Sequence, residues 1–378
     1  MQVENAIGGG LRKRNSSIEL LRIISMLMIL FHHFLVHNVA DYTLIKFGVV
    51  RFILQLFLES GGKIGVVIFF TISCWFFLDK PQTMRGCALR IWKLEKEVLF
   101  YSLFLSLFFF LLDRQDISLS LVGRCFMPLI WSVWWYPTAY AMFLCFLPFI
   151  DRGLKGMGRN YHIALCCVLL FIYAGISLLP STQMVEGVYS FIYIYILVSA
   201  YKWYLEDVIQ LSPIKMIVTG YCIIAIYVFC SMLAYQLYGI QIGVRYHNFL
   251  TDGVRLPCLL IGFGTFLIFN NMKFTNSKIN WLAAGSFSVY LMTDFSASQT
   301  FLWRGVFDLN AAISSVPSFC IAILMMLLLY FSCVLIDSVR RFVFSKYFDF
   351  KWDQLFDKGY IFVRNTLHRF EVLDRLLA

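Results

Sequence analysis

The chain has few charged residues for its length. Only 14% of its 378 residues are Asp, Glu, Lys or Arg, whereas a soluble domain carries about 25%. With 60% hydrophobic residues and a mean hydropathy of +0.75, this composition excludes a secreted factor, a nucleic-acid module and a cytosolic enzyme. Internal repeats and low-complexity linkers are also absent from the sequence. The protein is therefore expected to lie mostly within a membrane.

Cysteine is present, but not in a metal-binding pattern. None of the eleven cysteines belongs to a Cys-x-x-Cys pair. Several, including Cys166, Cys222 and Cys333, lie inside apolar runs, where a free thiol behaves as a small hydrophobic group. We therefore expect no disulfide framework, no zinc site and no other bound metal.

Apolar segments close to the length that crosses a bilayer, about 20 residues, recur along the chain. Bounded by polar or turn residues, they predict an all-α fold, a polytopic membrane helical bundle of about ten transmembrane helices. The stretch 46–60 has helical apolar spacing interrupted by charges, which is typical of an interfacial helix. The spans are expected at about 18–36, 64–79, 97–112, 129–149, 162–179, 188–204, 214–236, 254–270, 281–302 and 313–336.

Lys and Arg predict the orientation of the bundle. They are far more numerous in the segments that share a side with the N-terminus than in the opposite segments. By the positive-inside rule, both termini are expected in the cytoplasm. The net charge is +10, and the charged residues lie mostly between the apolar segments, with one side favoured. We therefore expect membrane lipids as partners and no nucleic acid. One membrane domain is predicted over 1–337, followed by a cytoplasmic amphipathic tail over 338–378.

The first span carries ionisable residues that are costly at bilayer depth. Ser16 or Ser17 is its expected N-cap. Because each helical residue turns by about 100°, four polar side chains are expected to share one face. Such a face must look into the bundle interior or a wet cavity. Its members are Glu19, Arg22, His33 and His37.

Two interpretations of this face remain open. In the first, Glu19 and Arg22 form an i,i+3 ion pair and the histidines are hydrogen-bonded packing residues. In the second, His33, about 16 Å along the helix from Arg22, is a general base within the membrane. Histidine suits that role because its ordinary pKa is near neutrality. Arg22 would then bind an anionic group that enters from the cytoplasm.

Other signals are weaker. Ser73 and Thr71 are the hydroxyl-bearing residues of the second span, and such hydroxyls commonly bond to their own backbone. The basic loop expected over 85–96 fits either the positive-inside rule or phosphate binding. An aromatic cluster at the start of the fourth span fits either a membrane-interface belt or a sugar-stacking surface. Its members are Trp131, Trp134, Trp135, Tyr136 and Tyr140.

Several motifs occur together in a recognisable order. The first span has Ile18-Glu19-x-Leu21-Arg22, then ten residues, then His33. This pattern resembles the start of the acyltransferase-3 family, bacterial membrane proteins that move acyl groups from acyl-CoA onto sugars of surface polysaccharides and related molecules. The resemblance extends over most of the chain. The further motifs are Gly65-Val-x-x-Phe69-Phe70-x-x-Ser73, Arg90-Ile-x-Lys93, Trp135-Tyr136-x-x-x-Tyr140 with Pro148 closing that helix, and Phe287-Ser-Val-Tyr290-Leu291.

The resemblance implies roles for the matching residues. His33 would be the catalytic histidine, with Glu19 of the opening motif and Ser73 of the second span as further catalytic-site residues. Arg22 would contribute to acyl-CoA binding. Arg90 and Lys93 would help to hold the CoA phosphates.

Three positions depart from the family's pattern. Cys74 stands where the family usually has Gly after the second-helix Ser. Thr293 stands where the late helix usually has the His of Tyr-Leu-x-His. The basic pair is Arg/Lys rather than Arg/Arg. The first two departures affect the shape of the pocket and the role of the late helix.

Residues and resemblance together predict an integral-membrane O-acyltransferase in the bacterial plasma (inner) membrane. It would move an acyl group, acetyl being favoured, from cytoplasmic acetyl-CoA to a sugar hydroxyl of a cell-surface polysaccharide or a lipid-linked glycan. His33 would deprotonate the hydroxyl, and an acyl-enzyme, if one forms, would involve Ser73 or Cys74. The alternatives are a glycan transporter or flippase without chemistry, although no duplicated halves are visible, and a structural subunit.

Overall fold

The structure of the protein is a computed structural model that describes residues 15–38, 48–112, 118–176, 187–239 and 254–368. Within these ranges the regular structure is helical throughout, as predicted. Short π-helical segments continue several helices, including Leu54–Glu59 and Thr300–Val306. The helices, in chain order, are α1 (Ser16–Val36), α2 (Val49–Phe77), α3 (Met84–Leu112), α4 (Leu119–Cys125), α5 (Trp135–Leu170), α6 (Val188–Ala200), α7 (Pro213–Tyr238), α8 (Leu256–Asn271), α9 (Ser277–Ala284), α10 (Ser286–Thr293), α11 (Ser296–Gln299), α12 (Leu309–Ile313), α13 (Val316–Tyr347) and α14 (Asp349–His368).

Among the described residues, five helices are long and apolar enough to cross a membrane. They are α1, α2, α5 with its extension to Gly175, α7 and α13. The apolar helix α8 is shorter. Several such helices identify a multi-pass membrane protein. The number of about ten spans and the cytoplasmic position of both termini stay predictions.

The fourth and fifth predicted spans lie on one helical element. From Trp135 to Leu170 the chain is helical with a bend at Gly158, whose φ of 75° lies in the left-handed region. Pro148 lies inside this helix, so the prediction that it closes the helix is wrong. Proline is tolerated within a membrane helix where neighbouring groups satisfy the backbone carbonyl that it leaves unbonded.

The separate interfacial helix predicted over 46–60 is also not found. Its described part is the beginning of α2, which continues without interruption to Phe77. The polar residues Arg51, Gln55 and Glu59 are buried, because this part of α2 packs against α1 and α7. Two of the charges that suggested an aqueous interface, Arg51 and Glu59, therefore lie inside the bundle, whereas the third, Lys46, lies outside the described residues.

The basic stretch predicted as a loop is the first part of α3. Some of its residues face α14: Trp92 stacks on Trp352 at 4.6 Å between ring centroids, and Lys96 Nζ lies 2.6 Å from Asp349 Oδ1. Packing and ion pairing with α14 therefore stabilise a helix where the sequence indicated a loop. The helix α13 runs through residue 337, so the boundary predicted there falls within a helix, and the division into a membrane domain and a tail stays a prediction.

Close packing fixes α1 against its neighbours. A Cβ on Gly65 of α2 would lie only 2.6 Å from the backbone oxygen of Ser25, so the two helices can approach this closely only with glycine there. At the start of α1 the N-cap is Asn15, whose side chain accepts from Ser17 N at 3.2 Å, so the prediction of Ser16 or Ser17 is wrong. Ser16 instead donates from Oγ to Asn280 Oδ1 at 2.7 Å, which ties α1 to α9.

Candidate functional site

A cavity of about 300 Å³ lies beside the second half of α1. We call it the histidine cavity, because three histidines of the first span line it. Its wall also includes Lys63, Phe69, Phe287 and Tyr290, and the two aromatic residues that begin α5. The polar residues at its lining are His32, His33, His37, Lys63, Trp135, Tyr136, Tyr290, Asp294 and Gln299.

Two histidines and a carboxylate meet in this cavity. His33 Nδ1 lies 3.7 Å from Asp294 Oδ1, and His37 Nε2 lies 3.8 Å from the same oxygen. The histidines are four residues apart and therefore on one face of the helix, as the spacing predicts. Gln299 donates from Nε2 to this oxygen at 2.7 Å and orients the carboxylate. His33 and Asp294 are buried at the cavity wall, whereas His37 is partly exposed.

Asp294 was not predicted as a site residue. It directly follows Thr293, the position where the family usually has histidine. The Thr293 hydroxyl donates to the Val289 carbonyl oxygen of its own helix at 2.8 Å and does not line the cavity. The ionisable group of the late helix is therefore one residue further along, at the C-cap of α10. Its sequence signal was a carboxylate inside the ninth predicted span.

A second group of predicted residues surrounds Tyr140 on α5. The Tyr140 hydroxyl interacts with Ser73, and the side chain is within electrostatic range of Arg22 and Arg90. We call these four residues the arginine–tyrosine cluster. The structure thus brings together three site residues predicted from separate motifs, and adds Tyr140 from a fourth.

Glu19 belongs with Arg22 rather than with His33. Its Oε2 lies 3.7 Å from Arg22 Nη1, which is the i,i+3 pair of the first interpretation. Its position on the helix is about 21 Å of rise from His33. Glu19 is therefore placed to hold Arg22 and does not contact His33.

Arg90 and Lys93 differ in their surroundings. Arg90 donates from Nη1 to Gln82 Oε1 at 2.7 Å, and its guanidinium lies 4.7 Å from the centroid of the Phe77 ring. The half-buried Lys93 forms no side-chain hydrogen bond or ion pair with a described residue. The structure thus associates Arg90 with the arginine–tyrosine cluster but does not bring Lys93 into it.

Two tyrosines connect the cluster with the cavity. Tyr136, one turn before Tyr140, lines the cavity, and their rings stack at 6.3 Å between centroids. The Tyr136 ring lies 6.2 Å from the Tyr290 ring, which lies 6.2 Å from the His33 ring. A continuous row of aromatic rings therefore runs between the histidine cavity and the arginine–tyrosine cluster.

The remaining aromatic residues and Cys74 have other surroundings. Trp135 lines the cavity under Lys63, whose Nζ lies 5.3 Å from its ring centroid. Trp134 is buried against Phe295, and Trp131 is exposed, so the predicted aromatic cluster divides between the cavity, the core and the surface. Cys74 is fully buried and does not line the cavity.

This arrangement is suited to proton transfer beside a small enclosed space. An imidazole can accept a proton from a bound hydroxyl, and a nearby carboxylate stabilises the imidazolium that forms. The arginines at the other end of the tyrosine row carry the positive charge that an anionic donor requires.

Comparison with known proteins identifies the family. Among curated proteins and solved structures, nothing matches the chain. A family model described as an acyltransferase domain matches residues 15–336, which include both groups of site residues. The chain is therefore a multi-pass membrane protein that belongs to the acyltransferase-3 family.

Proposed function

We propose that this protein is an O-acyltransferase of the bacterial plasma membrane that takes an acyl group, acetyl being favoured, from cytoplasmic acetyl-CoA. The acceptor is a sugar hydroxyl of a cell-surface polysaccharide or of a lipid-linked glycan. Family membership supports acyl transfer in general. The observation that carries the more specific proposal is His33, which lies at a cavity wall and is linked by a row of tyrosines to a pair of arginines.

The acceptor sugar would occupy the histidine cavity. Trp135 and Tyr136 offer flat apolar faces for a sugar ring, and the polar wall offers hydrogen-bonding partners. His33 makes no hydrogen bond through Nδ1 to a described residue. This nitrogen is therefore not committed to a structural contact, and the role proposed for His33 is that of general base.

The donor would approach from the arginine–tyrosine cluster. Arg22 and Arg90 supply positive charge for the anionic part of CoA, and Glu19 holds Arg22 in position. Lys93, on the turn of α3 that follows Arg90, is proposed as a further phosphate contact. The acyl-bearing arm would then extend past Tyr140 and Tyr136 towards His33, with Ser73 lining its course.

The reaction is a direct transfer between two bound substrates. His33 accepts the proton of the sugar hydroxyl while its oxygen forms a bond to the thioester carbonyl carbon. The carbon–sulfur bond then breaks, and the proton passes from His33 to the departing CoA thiolate. Neither a protein nucleophile nor a metal is required, which fits the enclosure of Cys74.

The test uses purified protein in lipid vesicles with radiolabelled acetyl-CoA and extracted surface glycan. Wild type is compared with His33→Ala and Arg22→Ala, and thermal unfolding shows whether each variant is folded. We expect transfer by wild type, loss of transfer with His33→Ala, and weaker use of acetyl-CoA with Arg22→Ala. His162→Ala is the matched control, because it removes a fully buried histidine from α5.

The results also separate acyl transfer from transport. A transporter would move glycan across the vesicle membrane without consuming acetyl-CoA. If wild type neither binds nor consumes acyl-CoA, or if the folded His33→Ala variant transfers at the wild-type rate, the proposal fails.

A further inference from the structure

The histidine cavity also contains the donor atoms of a transition-metal site. His33 Nδ1, His37 Nε2 and a carboxylate oxygen of Asp294 all lie within 4.8 Å of one another. Two imidazoles and one carboxylate are a donor set found in zinc sites that keep an open position. The cysteine pattern did not predict this site, because its donors are His33 of α1, His37 at the C-cap of α1 and Asp294 at the C-cap of α10.

The geometry is close to what a small divalent ion requires. Zinc bonds of about 2.1 Å in a tetrahedral arrangement place two ligand atoms about 3.4 Å apart. The observed separations from Asp294 Oδ1 are 3.7 Å to His33 Nδ1 and 3.8 Å to His37 Nε2. All three donor atoms lie within 4.8 Å of one another, so rotations of the imidazole rings that bring the two nitrogens closer by up to about 1.4 Å would complete the site.

Two independent observations favour a ligand at this position. His33 Nδ1 is a buried polar atom that has no hydrogen-bond partner among the described residues, and it points towards the Asp294 oxygen. Gln299 donates a hydrogen bond to the same carboxylate, as the outer partners of metal ligands commonly do. The cavity beside the three donors offers space for a fourth ligand such as water.

We propose that His33, His37 and Asp294 bind a divalent transition-metal ion, of which Zn²⁺ is the probe, and that the bound ion inhibits the protein by occupying His33. The binding part stands on the geometry alone. The inhibition part rests on the proposed function, since it requires His33 to be free as the base. Two nitrogen donors favour Zn²⁺ or Co²⁺ over Mg²⁺, which prefers oxygen ligands.

The binding experiment uses full-length protein purified without a polyhistidine tag. Co²⁺ and then Zn²⁺ are titrated into wild type and into His33→Ala, His37→Ala and Asp294→Asn, with Mg²⁺ in excess. We expect one saturable site in wild type, with at least about tenfold weaker binding in each variant, because each loses one of three ligands. The Co²⁺ spectrum should lack thiolate charge transfer, which distinguishes this site from the cysteines.

His162→Gln is the control for binding, since this buried histidine bonds through Nε2 to the Ile196 carbonyl oxygen and lies outside the cavity. It should bind Zn²⁺ as wild type does. Thermal unfolding verifies that each variant is folded, and Asp294→Asn keeps the shape of the side chain. Absence of a saturable site in wild type, or an affinity equal to that of wild type in all three folded ligand variants, overturns the proposal.

The second experiment measures acetyl transfer over a Zn²⁺ series. The transfer rate of each protein is divided by the rate of the same protein without metal. We expect wild type to be inhibited, and His37→Ala to need at least about tenfold more Zn²⁺ for the same fractional inhibition. If wild type is active and binds Zn²⁺ at the three residues without inhibition, the regulatory part is wrong. If binding follows the prediction but no acyl transfer occurs, the metal site stands and the proposed function fails.

Discussion

Two buried polar clusters of this protein differ in how completely their charges are paired. The first, which we call the Asp337 network, joins α3, α10 and α13 through Glu97, Tyr101, Ser288, Asp337 and Arg340. The second is the group of histidines and Asp294 in the histidine cavity. The second lies beside a cavity, and the comparison separates polar residues that are placed for support from polar residues that are placed to bind or react.

The Asp337 network is closed by short contacts. Asp337 is fully buried, and its Oδ1 accepts from Tyr101 at 2.9 Å and from Arg340 Nε at 2.8 Å. Its Oδ2 accepts from Arg341 Nε at 2.7 Å. Arg340 also donates to Glu97 at 3.0 Å. These short hydrogen-bonded contacts offset the cost of burying the charges, and they join three helices.

The histidine cavity is paired less completely. A separation of 3.7 Å between His33 Nδ1 and Asp294 is too long for a hydrogen bond. Incompletely paired ionisable groups beside a cavity are candidates for binding or catalysis, whereas closed networks are candidates for support. The comparison therefore predicts opposite consequences for substitutions in the two clusters.

The largest expected effect is on catalysis, from His33→Gln. Loss of a general base should lower the rate of acetyl transfer by about 10²–10⁴-fold. Stability should change little, because Nδ1 makes no hydrogen bond to a described residue. The transfer rate and the unfolding midpoint are measured on the same preparation. If folded His33→Gln transfers at the wild-type rate, His33 is not the general base.

A substitution in the Asp337 network should instead affect stability. Asp337→Asn removes one of the two carboxylates that pair with the buried Arg340, and breaking a buried ion pair costs about 3–5 kcal/mol of the free energy of unfolding. Reversible unfolding in mixed micelles measures it. Asp357→Asn is the control, since the ion pair of Asp357 with Arg85 is exposed. Equal stability of the two variants would contradict the supporting role of the network.

The position of the cavity depends on the approach of α2 to α1. Gly65→Ala adds a Cβ that would lie 2.6 Å from the Ser25 oxygen, so overpacking should cost about 1–3 kcal/mol. The matched control is Gly153→Ala in α5, where nothing lies within 4 Å and alanine should stabilise the helix by about 0.5–1 kcal/mol. If the free energy of unfolding changes by the same amount in both variants, the close approach of Gly65 to Ser25 does not hold the two helices together.

The smallest effect is expected where the paired charges reach solvent. The side chains of Lys96 and Asp349 are 17% and 38% exposed. For Lys96→Ala we therefore expect a loss of about 0.2–1 kcal/mol, and the loss should shrink in salt. If Lys96→Ala loses as much free energy of unfolding as Asp337→Asn, exposure does not explain the difference between exposed and buried ion pairs.

The face of α1 could be predicted because helical periodicity is local. Residues four apart, such as His33 and His37, lie on one face in any helix, and the cost of a buried charge turns that face inward. The partner could not be predicted in the same way. Asp294 meets the histidines through the packing of α10 on α1, which no spacing in the sequence specifies.

Errors in the helix limits have a related cause. The basic stretch of α3 and the charges of α2 suggested that these segments face water, but tertiary partners cover parts of both. Trp352 covers Trp92, and packing of α2 against α1 and α7 buries Arg51 and Glu59. Local polarity does not predict exposure where another helix packs over the segment. That helix can lie far away in the sequence, as Trp352 does from Trp92.

The most direct test compares the two clusters in one assay of labelled acetyl transfer to glycan. Wild type, His33→Gln and Asp337→Asn are measured, and each rate is divided by the fraction of folded molecules. The account predicts that His33→Gln loses about 10²–10⁴-fold in rate while it stays folded, and that folded Asp337→Asn transfers within a few-fold of wild type. Transfer that survives in His33→Gln and vanishes in folded Asp337→Asn would contradict it.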